Sequence, residues 1–216
     1  MENKNKNKLN LKQLEKKAYK STFQDGLWDI FMGMIFLGFL LLSLEFISQL
    51  DIIYKYFLVV APWNLGAVLI LVLGKRYITI PRLGYVEFGP KRQKVKFKMI
   101  VFVIANIVAL TILIILPLSG ILENLQIEQP ILALLIGFLV IWLPLSLLAF
   151  ILKFPRLYLY AAMGGSSFFL TEIFFPLLGA PLDSIITFGL IGGLIVAIGL
   201  TYLIVFIRKY PKAEDI

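Results

Sequence analysis

The chain has 216 residues, 60% of them hydrophobic and 16% charged, with a mean hydropathy of +0.90. Uncharged apolar runs of about 18 residues or more recur, each long enough to cross roughly 30 Å of hydrocarbon as a helix, so a soluble globular domain is excluded. No series of alternating strand segments is present, which excludes a transmembrane barrel and leaves helices to satisfy the backbone in lipid. There is no Cys and no His. That removes disulfides, thiol nucleophiles, Cys/His zinc sites and the usual haem ligands, and we expect no cofactor and no bound metal. The formal charge of +8 is distributed by membrane side, so it points to anionic lipid head groups as partners and not to nucleic acid.

Residues 1–26 form a basic cytoplasmic tail. Within it Leu11, Leu14 and Ala18 recur at helical spacing among lysines, which predicts a short interfacial helix over Leu9–Tyr19. No small-residue cleavage pattern follows the first apolar run, so we do not read a signal peptide. The first span is predicted over 27–50, with Asp25 and Asp29 at its cytoplasmic edge and Glu45 late in it. The second is predicted over 56–74, interrupted by Pro62, Asn64 and Gly66.

A polar loop, 75–98, then carries Lys75, Arg76, Arg82, Lys91, Arg92, Lys94, Lys96 and Lys98 against the single acid Glu87. Its alternation at 84–98, around Gly89-Pro90, predicts a short β-hairpin. A two-stranded hairpin is marginal alone in water, so it needs the membrane surface or the N-terminal helix beneath it. Arg82 and Lys91 to Lys98 are the candidate lipid- or partner-binding residues.

The third span is predicted over 99–122 with Asn106 and Pro117, the fourth over 131–152 with Pro144, the fifth over 157–178 and the sixth over 184–207. The chain ends in a cytoplasmic tail, 208–216. All but Lys55 of the 21 Lys/Arg fall on the side of both termini, so the positive-inside rule places both termini in the cytoplasm. The predicted fold class is an all-α membrane protein with six transmembrane helices, spanning 27–207. Spans two, four and six each exit into a basic, aromatic, Pro-containing segment, a faint sign of three related hairpins.

Two sets of acids are candidates for chemistry. Glu45 and Glu172 lie within apolar runs, where a carboxylate is costly and normally faces a bundle interior or a partner. Gly38 falls within about 20° of Glu45 at 100° per residue. Ala161, Gly165, Phe168 and Glu172 share a stripe, so small residues would let the two faces approach. Asn64, Asn106, Ser166, Ser167 and Thr171 are the supporting polar groups. The structural alternative is that each Glu lies near the outer head groups or is protonated in a packed core.

The pair Asp25/Asp29 stands at i and i+4 on one helix face beside Gly26 and Trp28. It reads as helix-end capping, as an acceptor for Arg82 or Lys75, or, least, as a metal site, which wants more oxygens. In the sixth span Gly189, Gly193 and Ala197 recur at four-residue spacing with Gly192 beside them, which predicts close packing against another helix, within the bundle or across a homo-oligomer interface.

Asp25-Gly26-Leu27-Trp28-Asp29 before the first span, with Ile80-Pro81-Arg82-Leu83-Gly84-Tyr85-Val86 after the second, resembles a pattern in small uncharacterised prokaryotic multi-pass membrane proteins. The resemblance implies that the two segments work together and carries no activity with it. The functional expectation is a small permease or channel-like protein with an intramembrane carboxylate site. The alternative is a membrane-embedded scaffold whose basic loop binds anionic lipid or a cytoplasmic partner. An intramembrane enzyme fits least, because the catalytic constellations that need His are absent.

Overall fold

The computed structural model describes residues 23–44, 51, 54, 56–83 and 128–211. The predicted interfacial helix, the end of the first span, the hairpin, the third span and residues 212–216 lie outside the described residues. Within them the chain is helical throughout and carries no strand. The first helix, α1, is Leu27–Ser43. The second, α2, runs over 56–83, then α3 over Gln129–Leu152, α4 over Arg156–Leu178 and α5 over Leu182–Lys209.

The last four are long and apolar enough to cross a membrane, whereas α1 is apolar but shorter, at 17 residues. Their outward faces are apolar: Leu58, Leu65, Leu69 and Val72 of α2, Leu139, Leu147 and Phe150 of α3, and Leu190, Leu194 and Ile204 of α5 are all exposed. Surfaces of that extent are stable only in a solvent as apolar as themselves. This is a helical membrane protein.

The predicted break at Lys75 is not where the second helix ends. Helical backbone runs on through Leu83, so Lys75, Arg76 and Arg82 stand on α2 and not in a loop. The reason lies in how the chain absorbs proline. Pro81 lacks the N–H of a helical turn and its ring crowds the carbonyl four residues back. The preceding residues, Lys75–Thr79, widen into a π turn in which Ile80 N–H reaches the Lys75 carbonyl. The same arrangement recurs at Tyr56–Val60 before Pro62 and at Phe138–Trp142 before Pro144. In all three the proline stands two residues after the π stretch, and the helix continues. Pro62 and Pro144 are accommodated in this way.

Two compact units divide the described residues. The first holds α1, α2 and the part of α5 from Gly192 onward; the second holds α3, α4 and the start of α5. In the first unit α1 runs antiparallel to both of its neighbours. Along α5, the backbone near Gly26 meets Gly199 and Leu203, Gly33 meets Gly192 and Val196, and Gly192 meets Leu37. Along α2, Leu27 packs on Gly74 and Gly38 on Trp63.

The Trp63 indole N–H donates to the Met34 carbonyl at 2.6 Å. Trp63→Phe keeps most of the ring and loses that bond, so it should cost about 0.5–1.5 kcal/mol. The check is the melting temperature of the detergent-purified protein by intrinsic fluorescence.

The small residues that allow the α1–α5 approach are Gly192 and Gly199, not the predicted row. A Cβ at Gly193 would meet nothing within 4 Å, and Ala197 is exposed. The row at 189, 193 and 197 is therefore not the seam within this unit, because it lies about 100° around the helix from Gly192. In the second unit Gly137 and Gly165 bring α3 and α4 into backbone contact, and Gly165 also abuts Trp142.

Candidate functional site

Asp25 opens α1. Its Oδ1 accepts the Leu27 N–H at 3.2 Å, a local bond that an Asp before a helix makes readily. Gly26 follows with φ +76°, a left-handed conformation that glycine adopts without penalty. That turn aims the second oxygen, Oδ2, at α2. There it accepts the Lys75 ammonium and the Thr79 hydroxyl, each at 2.5 Å. Lys75 and Thr79 are four residues apart on the π turn, which sets both donors on the face toward α1.

Asp25 and Asp29 are both 0% exposed, Thr79 is buried, and the Lys75 side chain keeps 20%. The Asp29 charge also acts on Lys75. Asp29 lies against α5, where a Cβ at Gly199 would come within 3.0 Å of its own Cβ. Phe23 and Phe31 flank Trp28, each with ring centroids 5.8 Å from it. The network thus ties α1 to α2 by charge while glycines tie α1 to α5 by close approach.

Its depth follows from the antiparallel register. On α5 the residues level with Gly26 to Ile30 are Leu203 back to Gly199. Arg208 lies five to nine residues further on, which at 1.5 Å per residue is roughly 7–14 Å. Ile204, Val205 and Ile207 remain exposed and apolar over that distance, so the lipid-facing surface continues past the acidic pair. On α2 the helix runs eight residues beyond Lys75. The start of α1 is therefore recessed below the basic ends of both neighbours, in a medium where an unpaired charge is expensive.

The other predicted site residues fall elsewhere. Arg82 donates from Nη1 to the Ile78 carbonyl of its own helix at 3.0 Å, so the cation on Asp25 is Lys75. Asn64 donates to the Val60 carbonyl at 2.9 Å and lines a small apolar cleft with Gly38, Phe39, Leu42 and Trp63. Ser166 and Ser167 both donate to the Met163 carbonyl, and Thr171 to that of Ser167. Those three hydroxyls bond within α4 instead of converging on Glu172, which is half-buried. Glu45, Asn106, Lys91, Arg92, Lys94, Lys96 and Lys98 lie outside the described residues. Among the described residues no group of three or more His, Cys, Asp or Glu has the spacing to hold a metal ion.

Sequence reasoning did not single out Thr79. The signal was there: Lys75 and Thr79 share an i, i+4 face just before Pro81, with Ile78 and Ile80 keeping the segment apolar. Compared with protein-family models, curated proteins and solved structures, the chain finds no match in any of the three.

Proposed function

We propose that this chain is a six-span protein of a prokaryotic cytoplasmic membrane, with both termini in the cytoplasm, that works as a small permease for a proton or monovalent cation. Its charge-bearing site is Asp25, Asp29, Lys75 and Thr79. The observation that carries the reading is the complete burial of two carboxylates beside one lysine, recessed from the basic border of a lipid-exposed bundle. Ionisable groups so placed mark ion and proton pathways in membrane proteins, and a lysine held on a carboxylate can release it when a cation or proton takes its place. Glu172 and Glu45 are secondary carboxylates in this scheme. Arg82 and the basic residues of 84–98 serve anionic lipid head groups at the cytoplasmic border.

The test is reconstitution into liposomes, with proton and alkali-cation flux followed by an entrapped pH-sensitive dye under a potassium diffusion potential. The wild type should conduct. The charge-removed pair Asp25→Asn/Lys75→Met should lose at least about tenfold of that flux while remaining folded, a loss worth about 1.4 kcal/mol in barrier. Wild-type vesicles as tight as protein-free ones, or a double variant that conducts like wild type, would sink the proposal. A C-terminal reporter that reads extracytoplasmic would overturn the topology.

A further inference from the structure

We infer that Asp183 and Thr187, at the start of α5, form a binding site for a small hard monovalent cation of the sodium class. Asp183 is 4% exposed and Thr187 3%. Asp183 Oδ1 and Thr187 Oγ1 are both buried without a hydrogen-bond partner among the described residues. Two oxygens in that condition, on one helix and one turn apart, are not an ordinary core feature, since buried polar atoms are nearly always paired.

They stand on one face by the i, i+4 rule, yet they do not bond to each other. A cation is attracted to a carboxylate oxygen and to a hydroxyl oxygen alike, and it needs no hydrogen from either. Oxygen ligands select a hard ion, and one carboxylate with one neutral hydroxyl matches a single positive charge. The surrounding structure is fixed independently of any ion. Asp183 N–H is held by the Gly179 carbonyl at 3.2 Å, and Gly179 has φ +70°. The next residue after Thr187, Phe188, packs edge-on to Phe168 of α4 with centroids 5.6 Å apart.

The α4–α5 hairpin turns over Gly179 to Pro181, so the chain is antiparallel about that contact. Glu172, one turn beyond Phe168 and half-buried, therefore comes to roughly the height of residues 183–184. By local sequence Asp183 lies in the short polar break, Gly179 to Asp183, between two apolar runs, where nothing signals burial.

The inference does not depend on transport, and its test uses neither Asp25 nor Lys75. Detergent-purified protein is titrated with sodium chloride against choline chloride at constant ionic strength, and the melting temperature is read by intrinsic fluorescence. A saturable rise on the order of a few degrees is expected for the wild type, as for any ligand that binds only the folded state. Asp183→Asn should abolish the rise. Thr187→Val, which keeps the shape and loses the oxygen, should raise the half-saturating concentration by about tenfold. Equilibrium binding of radioactive sodium to wild type and Thr187→Val gives the same readout should Asp183→Asn fail to fold. A rise with potassium in place of sodium upholds the site with a different selectivity. A melting temperature indifferent to every monovalent cation, a response to divalent ions alone, or a sodium response unchanged in Thr187→Val would overturn the assignment.

Discussion

Asp25→Ala is expected to destabilise the protein by about 3–5 kcal/mol, because it removes one half of a buried ion pair and strands the other. Lys75 would be left facing α1 with its 2.5 Å partner gone, and Thr79 would lose its acceptor at the same stroke. The size of the effect rests on the recess of α1. A surface pair would cost about 0–1 kcal/mol, whereas here the acceptor is fully buried and the apolar surface of α5 continues beyond it. The double variant Asp25→Leu/Lys75→Met should recover most of the loss, since replacing both partners by apolar groups of similar volume is often neutral. The measurement is a double-mutant cycle on detergent-solubilised protein, with unfolding followed by intrinsic fluorescence. If the double variant is as unstable as the sum of the singles, Asp25 and Lys75 are not coupled and the site as described is wrong.

Gly26→Ala is the second large effect. Its φ of +76° costs any L-residue about 1–2 kcal/mol, and the added methyl would come within 2.1 Å of the Gly199 carbonyl oxygen and 2.8 Å of Leu203 N. Both of those atoms are backbone, so neither can swing aside, and forcing extra volume into such a seam adds about 1–3 kcal/mol. The variant should therefore express poorly or melt well below wild type. Gly193→Ala is the control on the same pair of helices: nothing lies within 4 Å of the new Cβ. The change there should be neutral or stabilise by roughly 0.5–1 kcal/mol, as alanine does in a helix interior. Equal losses at Gly26 and Gly193 would show that the α1–α5 seam lies elsewhere.

These two residues also show how far the sequence can be read. Asp25, Gly26 and Asp29 were visible as a unit because their spacing is local: an Asp before a helix and another one turn on. The reason for the glycine was not visible, since it lies in the Gly199 backbone, more than 170 positions along the chain. Lys75 was read as the first residue of a cytoplasmic loop because charge ended the apolar run. The π turn before Pro81 keeps the helix going, and so carries Lys75 and Thr79 down onto Asp25 instead of out into the head groups. The glycine row of the last span was read at 189, 193 and 197, where the four-residue spacing is cleanest. Against α1 the helix packs on Gly192 and Gly199, because the partner's shape chooses the face and spacing alone does not.

By itself, then, the sequence determined the solvent: apolar runs of membrane length, with no Cys or His, can fold only as helices in lipid, and that conclusion needs no tertiary information. It also determined where the charges cluster. What only the tertiary structure decided was which charges meet. Asp25 could have capped its helix alone or met Arg82, and Asp183 could have been a solvated turn residue. The antiparallel register of α1 against α2 settles the first, and burial at the α5 N-terminus settles the second. The first depends on contacts between segments far apart in the chain and the second on packing around a hairpin, and the energies of both are set by depth and packing and leave no mark on local composition.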